Sequence, residues 1–225
     1  MHENFFKIAR TNMVKNQVLT NNVKNSILID ALYKIEKENF IPKSLHDMTY
    51  SDSDINLSKD RDLLRTFILA KMIDSCDFKK EDSVLVIGCL SGYSLAILSN
   101  LVSYVFGIEN EKKLVDFANE KLSSMNFHNC SVFFVNNLSD GLKKNAPYDK
   151  VFIEGSVNYV PKSIISQVKQ NGKIFTVLKQ NNDNIGEFVS GIKIDSKVSF
   201  SNLFNTNVKL LKDFIIEEKD YEVNY

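Results

Sequence analysis

The chain has 225 residues, 44% hydrophobic and 25% charged, which suits one globular domain with a substantial core and does not suit a disordered chain. Lys+Arg and Asp+Glu both number 28, so no global field draws the chain to nucleic acid or to an acidic membrane surface. Cys76, Cys89 and Cys130 are scattered, as are His2, His46 and His128, which argues against a disulfide framework or a metal site and suits a reducing compartment. The N-terminus does not read as a signal peptide and no apolar run approaches a membrane span, so a soluble cytoplasmic protein is expected.

Residues 1–80 read as a helical region. Phe6, Ala9, Met13 and Val14 form one apolar stripe, and Leu28, Ala31, Leu32 and Ile35 form a second. Pro42 ends that region, and the polar stretch 52–62 is expected to be a loop. A third helix is expected over Leu63, Leu64, Phe67, Ile68, Lys71 and Met72. From Ser83 the pattern alternates: strands over 84–87, 104–108, 132–135, 151–153 and 174–178, with helices over 93–100, 111–125 and 162–167. Gly172 is expected to turn the chain into the fifth strand, and Asp149 to orient the fourth through backbone hydrogen bonds. Such spacing implies an α/β fold, a parallel sheet covered on both faces. Ile192, Ile194, Val198 and Phe200 suggest added strands at the sheet edge, and the charged end, 217–225, reads as frayed. The core is thus 81–180, and 181–225 adds edge strands and a tail to the same single domain.

The stretch Val84-Leu85-Val86-Ile87-Gly88-Cys89-Leu90-Ser91-Gly92-Tyr93 is a strand, a glycine-containing turn and a helix start. Such a turn lets backbone approach a ligand closely. Glu109 follows Gly88 by 21 residues, at the end of the next strand, where a doubly wound nucleotide site places its ribose-binding acid. Taken singly, two glycines make only a tight turn and a strand-end glutamate only a solvated surface; together with the alternation they point to a nucleotide site. Cys89 has no neighbour in the sequence that would lower its pKa, so it is not read as a nucleophile.

Several segments taken together resemble the protein-L-isoaspartate O-methyltransferase family, over nearly all of residues 5–215. They are Ala9-Arg10-Thr11-Asn12-Met13-Val14 with Gln17; Phe40-Ile41-Pro42 and Tyr50; Ile87-Gly88 and Ser91-Gly92-Tyr93; Ala146-Pro147-Tyr148-Asp149; and Val160-Pro161, Gln167 and Gly172. The resemblance implies a Rossmann-like class I S-adenosylmethionine (SAM)-dependent methyltransferase sheet. It also implies methyl transfer to the misplaced α-carboxylate of isoaspartyl residues in damaged proteins. Gly88, Ser91, Gly92, Glu109 and Asn137 would hold the cofactor; no metal is implied and no catalytic residue is assigned.

Four positions depart from the family's pattern. Val86 stands where the cofactor loop carries an acid near the methionine ammonium, and Leu90 where it carries its middle glycine. Asn136-Asn137-Leu138 replaces a Gly-Asp-Gly, and an ungapped reading puts Leu64 at the active-site hydroxyl and Thr66 at the following proline. Arg61, Asp62 and Arg65 add charges nearby; they read as a solvated helix start, or as arginines that bind another anionic group. Three outcomes stay open: an isoaspartyl methyltransferase with weak or lost repair activity, a SAM-dependent enzyme with another substrate, and a non-catalytic descendant that binds a partner.

Overall fold

The structure, a computed structural model, describes residues 2–180 and 183–215; the end read as frayed, 217–225, lies outside them. Helix α1 (His2–Met13) runs on through a wider turn, Val14–Val18, and buries Met13, Val14 and Val18. Helix α2 (Ser26–Lys34) starts at Asn25, whose side chain accepts from the Leu28 N–H, and buries Leu28, Ala31 and Leu32 as the stripe requires. Arg10 ties the two helices, its Nε donating to the Tyr33 carbonyl at 2.9 Å.

The expected loop at 52–62 is instead largely a hairpin, β1 (Ile55–Ser58) against β2 (Arg61–Leu63). Its ends, Ile55 and Leu63, pair directly and are fully buried, so the hairpin is pinned to the core. Helix α3 (Thr66–Asp74) follows and buries Ile68, Leu69 and Met72.

The remaining elements are β3 (Ser83–Ile87), α4 (Tyr93–Leu98), β4 (Tyr104–Glu109), α5 (Lys112–Ser124), β5 (Cys130–Phe134), β6 (Tyr148–Val157), α6 (Lys162–Ile165), β7 (Val168–Leu178), β8 (Gly186–Ile194) and β9 (Lys197–Thr206). They build one seven-stranded sheet in the order β5-β4-β3-β6-β7-β8-β9. The first five strands of that order are parallel, and β8 and β9 add antiparallel at one edge, as the alternation in the tail implied. Gly172 does not open β7, which starts at Val168; it lies inside the strand, where the register with β6 slips between Tyr148 and Lys150.

Alternation along β3 sends Val84 and Val86 to one face of the sheet, with α1–α5, and Leu85 and Ile87 to the other, with Ile164, Leu211 and Phe214. Asp149 does orient β6: its Oδ2 accepts from the Ser83 N–H at 2.9 Å, and Lys169 pairs with the same carboxylate.

Candidate functional site

Register fixes the site. Ile87 of β3 lies opposite Ile108 of β4 and Ile153 of β6. The next residues along, Glu109, Gly88 and Glu154, therefore form a row across the carboxyl side of the three central strands, where β3 and β4 end and β6 runs on to Val157. This is the edge at which open α/β sheets bind ligands. Gly88 has a φ of +77°, and its backbone N–H donates to the Ile108 carbonyl at 2.9 Å. Gly92, with a φ of +88°, caps α4 against α5, where an added Cβ would lie 3.2 Å from Ala118. Leu90, at the place of the family's middle glycine, takes the left-handed conformation itself (φ +49°), and its side chain is fully buried in the core. A leucine there costs about 1–2 kcal/mol of backbone strain, but the loop keeps its path.

Glu109 is fully buried and held by backbone: the Leu90 N–H donates to Oε2 at 3.0 Å and the Asn110 N–H to Oε1 at 2.8 Å. Its third partner was not foreseen. Arg61, read as solvated, is only 8% exposed; its Nη1 lies 3.4 Å from Glu109 Oε1 and its Nη2 donates to the Gly88 carbonyl at 2.7 Å. The anion it meets is the chain's own strand-end carboxylate. A Cβ built on Gly88 would lie 2.6 Å from Arg61 Nη2, so the guanidinium covers the glycine that a ligand would approach. Arg65 is not part of the site: its N–H donates to Asp54 and its guanidinium lies over the Phe67 ring.

The chain's last described turn closes the other side. Leu211 packs on Gly88 and Gly155, and Asp213 accepts from the Leu138 N–H at 2.7 Å and from Asn110 Nδ2 at 3.1 Å. The cavity left between Arg61, Asn110, Leu138, Leu211 and Asp213 is about 220 Å³, below the roughly 300–1,000 Å³ of sites that bury a drug-sized ligand. Asn137, expected to meet an adenine, is exposed, and its Oδ1 instead caps its own turn by accepting from the Ser139 N–H and hydroxyl. The structure thus brings together Gly88, Ser91, Gly92 and Glu109 and leaves Asn137 at the rim.

Two buried groups escaped the sequence reading. Glu154 is 3% exposed; Ser94 donates to its Oε2 at 2.5 Å, while Oε1 has no partner among the described residues. Burial pushes its carboxyl up to about 7, against the pull of Ser94 and Arg61. Lys37 is fully buried, its Nζ donating to the Thr66 hydroxyl at 3.1 Å and to the Leu64 carbonyl at 3.5 Å. Burial lowers its ammonium to about 8. Leu64, which the ungapped reading puts at the family's hydroxyl, is buried, and its carbonyl faces that buried ammonium. Ser91 Oγ is also buried with no partner among the described residues, and burial raises the Cys89 thiol well above its ordinary range, so it is no nucleophile. Glu154 carried the same signal as Glu109, an acid ending an apolar strand; Lys37 carried none.

Comparison with known proteins points to one family. The protein-L-isoaspartate(D-aspartate) O-methyltransferase (PCMT) family profile matches residues 9–205. A protein-L-isoaspartate O-methyltransferase of Methanococcus aeolicus is 32% identical over 72% of this chain and 76% of its own length. One of Syntrophus aciditrophicus is 26% identical over 86% of this chain and 88% of its own. Among solved structures, a protein-L-isoaspartate O-methyltransferase superposes with a TM-score of 0.80 at 18% identity, covering 92% of this chain and 67% of that one. A putative enzyme of that name from Plasmodium falciparum, in complex with S-adenosyl-L-homocysteine, does so with a TM-score of 0.73 at 15% identity, covering 92% and 98%. The resemblance carried by the sequence segments is thereby established: the chain belongs to the protein-L-isoaspartate(D-aspartate) O-methyltransferase family, whose methyl donor is SAM.

Proposed function

We propose that this protein is a cytoplasmic SAM-binding carboxyl methyltransferase of the isoaspartyl type whose cofactor site is held shut by its own Arg61, leaving repair of isoaspartyl proteins weak or lost. The observation that carries this reading is the guanidinium of Arg61 lying on Gly88 and paired with the buried Glu109.

The residues fit the cofactor once that side chain withdraws. Gly88 offers a cradle that a Cβ would fill, overlapped by the far end of the flexible Arg61 side chain and bordered by Leu211. Glu109 is oriented by two backbone N–H groups for ribose hydroxyls, and the unpartnered Ser91 Oγ belongs to the same loop. Gly88, Ser91, Gly92 and Glu109 would hold the nucleoside, and Asn137 would have to release Ser139 to reach an adenine. When bound, SAM supplies an electrophilic methyl group on sulfur. The chain's own part is to orient an attacking carboxylate and exclude water, and orientation can supply roughly 7–11 kcal/mol. Leu64 offers no hydroxyl for that task, which supports reduced transfer. A closed site lowers apparent affinity by the fraction of molecules that are open.

Calorimetric titration with SAM and S-adenosylhomocysteine, followed by methylation of an isoaspartyl peptide, tests the reading. Weak nucleoside binding with slow or absent transfer is expected. Binding and turnover at the level of an unobstructed relative would refute the gate. No binding at millimolar nucleoside, even after Arg61→Ala, would leave the non-catalytic, partner-binding descendant, a reading that the closed cleft and Leu64 also favour.

A further inference from the structure

We infer that Glu154 is a cation-binding residue of the cofactor cleft, which receives the ammonium at the amino-acid end of the nucleoside and replaces the acid lost at Val86. This inference rests on the cleft being a SAM site. Three observations carry it.

The first is position. Val86 lies opposite Phe152, so Glu154 projects from the adjacent strand to the same face of the sheet, one pleat closer to the ligand edge. A carboxylate absent from β3 thus reappears on β6, beside Gly88.

The second is an unfilled valence. Glu154 is 3% exposed, and Ser94 satisfies one oxygen while the other, Oε1, has no partner among the described residues. A buried carboxylate in that condition is costly unless a cation or a set of donors reaches it.

The third is what surrounds it. Arg61 and Lys37 attract Glu154, and Glu109 repels it. Both cations have their hydrogen bonds directed elsewhere, Arg61 to Gly88 and Glu109, Lys37 to Leu64 and Thr66. The cleft therefore carries two buried carboxylates flanking one glycine, with Arg61 hydrogen-bonded to Glu109 alone of the two. A ligand that displaces Arg61 removes positive charge from between Glu109 and Glu154, and only a ligand that returns a cation restores it. S-adenosylhomocysteine brings an ammonium; methylthioadenosine, with the same nucleoside and thioether, brings none.

The test is the affinity ratio of those two nucleosides, by calorimetry on the full chain with Arg61→Ala to open the cleft, in the presence and absence of Glu154→Gln. A charge-assisted hydrogen bond predicts that Glu154→Gln weakens S-adenosylhomocysteine roughly tenfold to a hundredfold and leaves methylthioadenosine within about twofold. Glu154→Ala, which also vacates the Ser94 contact, must give the same ratio, and melting curves establish that each variant is folded. If both nucleosides bind and the ratio is unchanged by either substitution, Glu154 does not receive the ammonium and the cofactor reading stands without it. If methylthioadenosine and S-adenosylhomocysteine both fail to bind the Arg61→Ala protein, the cofactor reading falls and the inference with it.

Discussion

Glu154→Gln replaces a buried carboxyl by a neutral group of the same shape, and its effect on stability is set by pH. Burial raises the folded carboxyl from 4.5 to about 7. Between those values the folded chain keeps a proton that the unfolded chain has released. The stabilisation is complete below 4.5 and is lost as pH rises through 7. At about 1.4 kcal/mol per pKa unit, ionised Glu154 costs the folded state on the order of 3 kcal/mol above neutrality. Glutamine still accepts from Ser94 and carries no charge, so the variant escapes that cost. Urea unfolding should find the two proteins equally stable near pH 4, below the unfolded value, with the variant ahead by up to about 3 kcal/mol near pH 8. A variant less stable than wild type near pH 8 would mean that Arg61 and Lys37 already compensate the carboxylate. The description of Glu154 as short of a cation would then be wrong.

Leu90→Gly removes a fully buried side chain, at a cost of about 2–5 kcal/mol, and relieves about 1–2 kcal/mol of left-handed strain; a net loss of stability is expected, and a gain would mean the leucine is not a core residue. Lys37 is depressed by burial from 10.5 to about 8, so the unfolded chain binds more protons across that window and stability should rise from pH 8 to 10.5. Lys37→Met should flatten that rise in unfolding curves; a wild-type profile that falls instead would refute the assignment. Asp213→Ala frees the Leu138 N–H at a cost of about 1–3 kcal/mol and should tighten S-adenosylhomocysteine a few fold by unpinning the last turn; weaker binding would show that Asp213 assists the ligand.

The fold was legible because its signals are local. The alternation of apolar strands with amphipathic stretches from Ser83 onward places β3 to β6 within a few residues of their bounds, finds the C-terminal half of β7, and marks the tail as edge strands without bounding β8 and β9. Gly88 and Glu109 were legible for the same reason, since each sits at a strand end that the apolar run itself marks. The hairpin at 55–63 was not, because its strands are four and three residues long and polar at the intervening positions; its burial comes from Ile55 and Leu63 meeting a core built elsewhere. Of the two readings of Arg61, the solvated one fails; its anionic partner was not legible because it lies 48 residues away. The turn that Asn137 caps was not legible, because its ligand role came from the resemblance and chemistry alone, whereas its Oδ1 accepts from Ser139, two residues on. Asp213 could not be placed from sequence, since its contacts at Leu138 and Asn110 depend on where the chain returns after β9.

The central claim is that a family-type cofactor cleft is present and shut by one side chain, and calorimetry of S-adenosylhomocysteine on wild type and Arg61→Ala tests it most directly. Releasing a charge-assisted contact of about 1.5–3 kcal/mol predicts roughly ten- to hundredfold tighter binding in the variant. Equal affinity in the two proteins, with both folded, would contradict it, because the guanidinium on Gly88 would then be no barrier to the nucleoside.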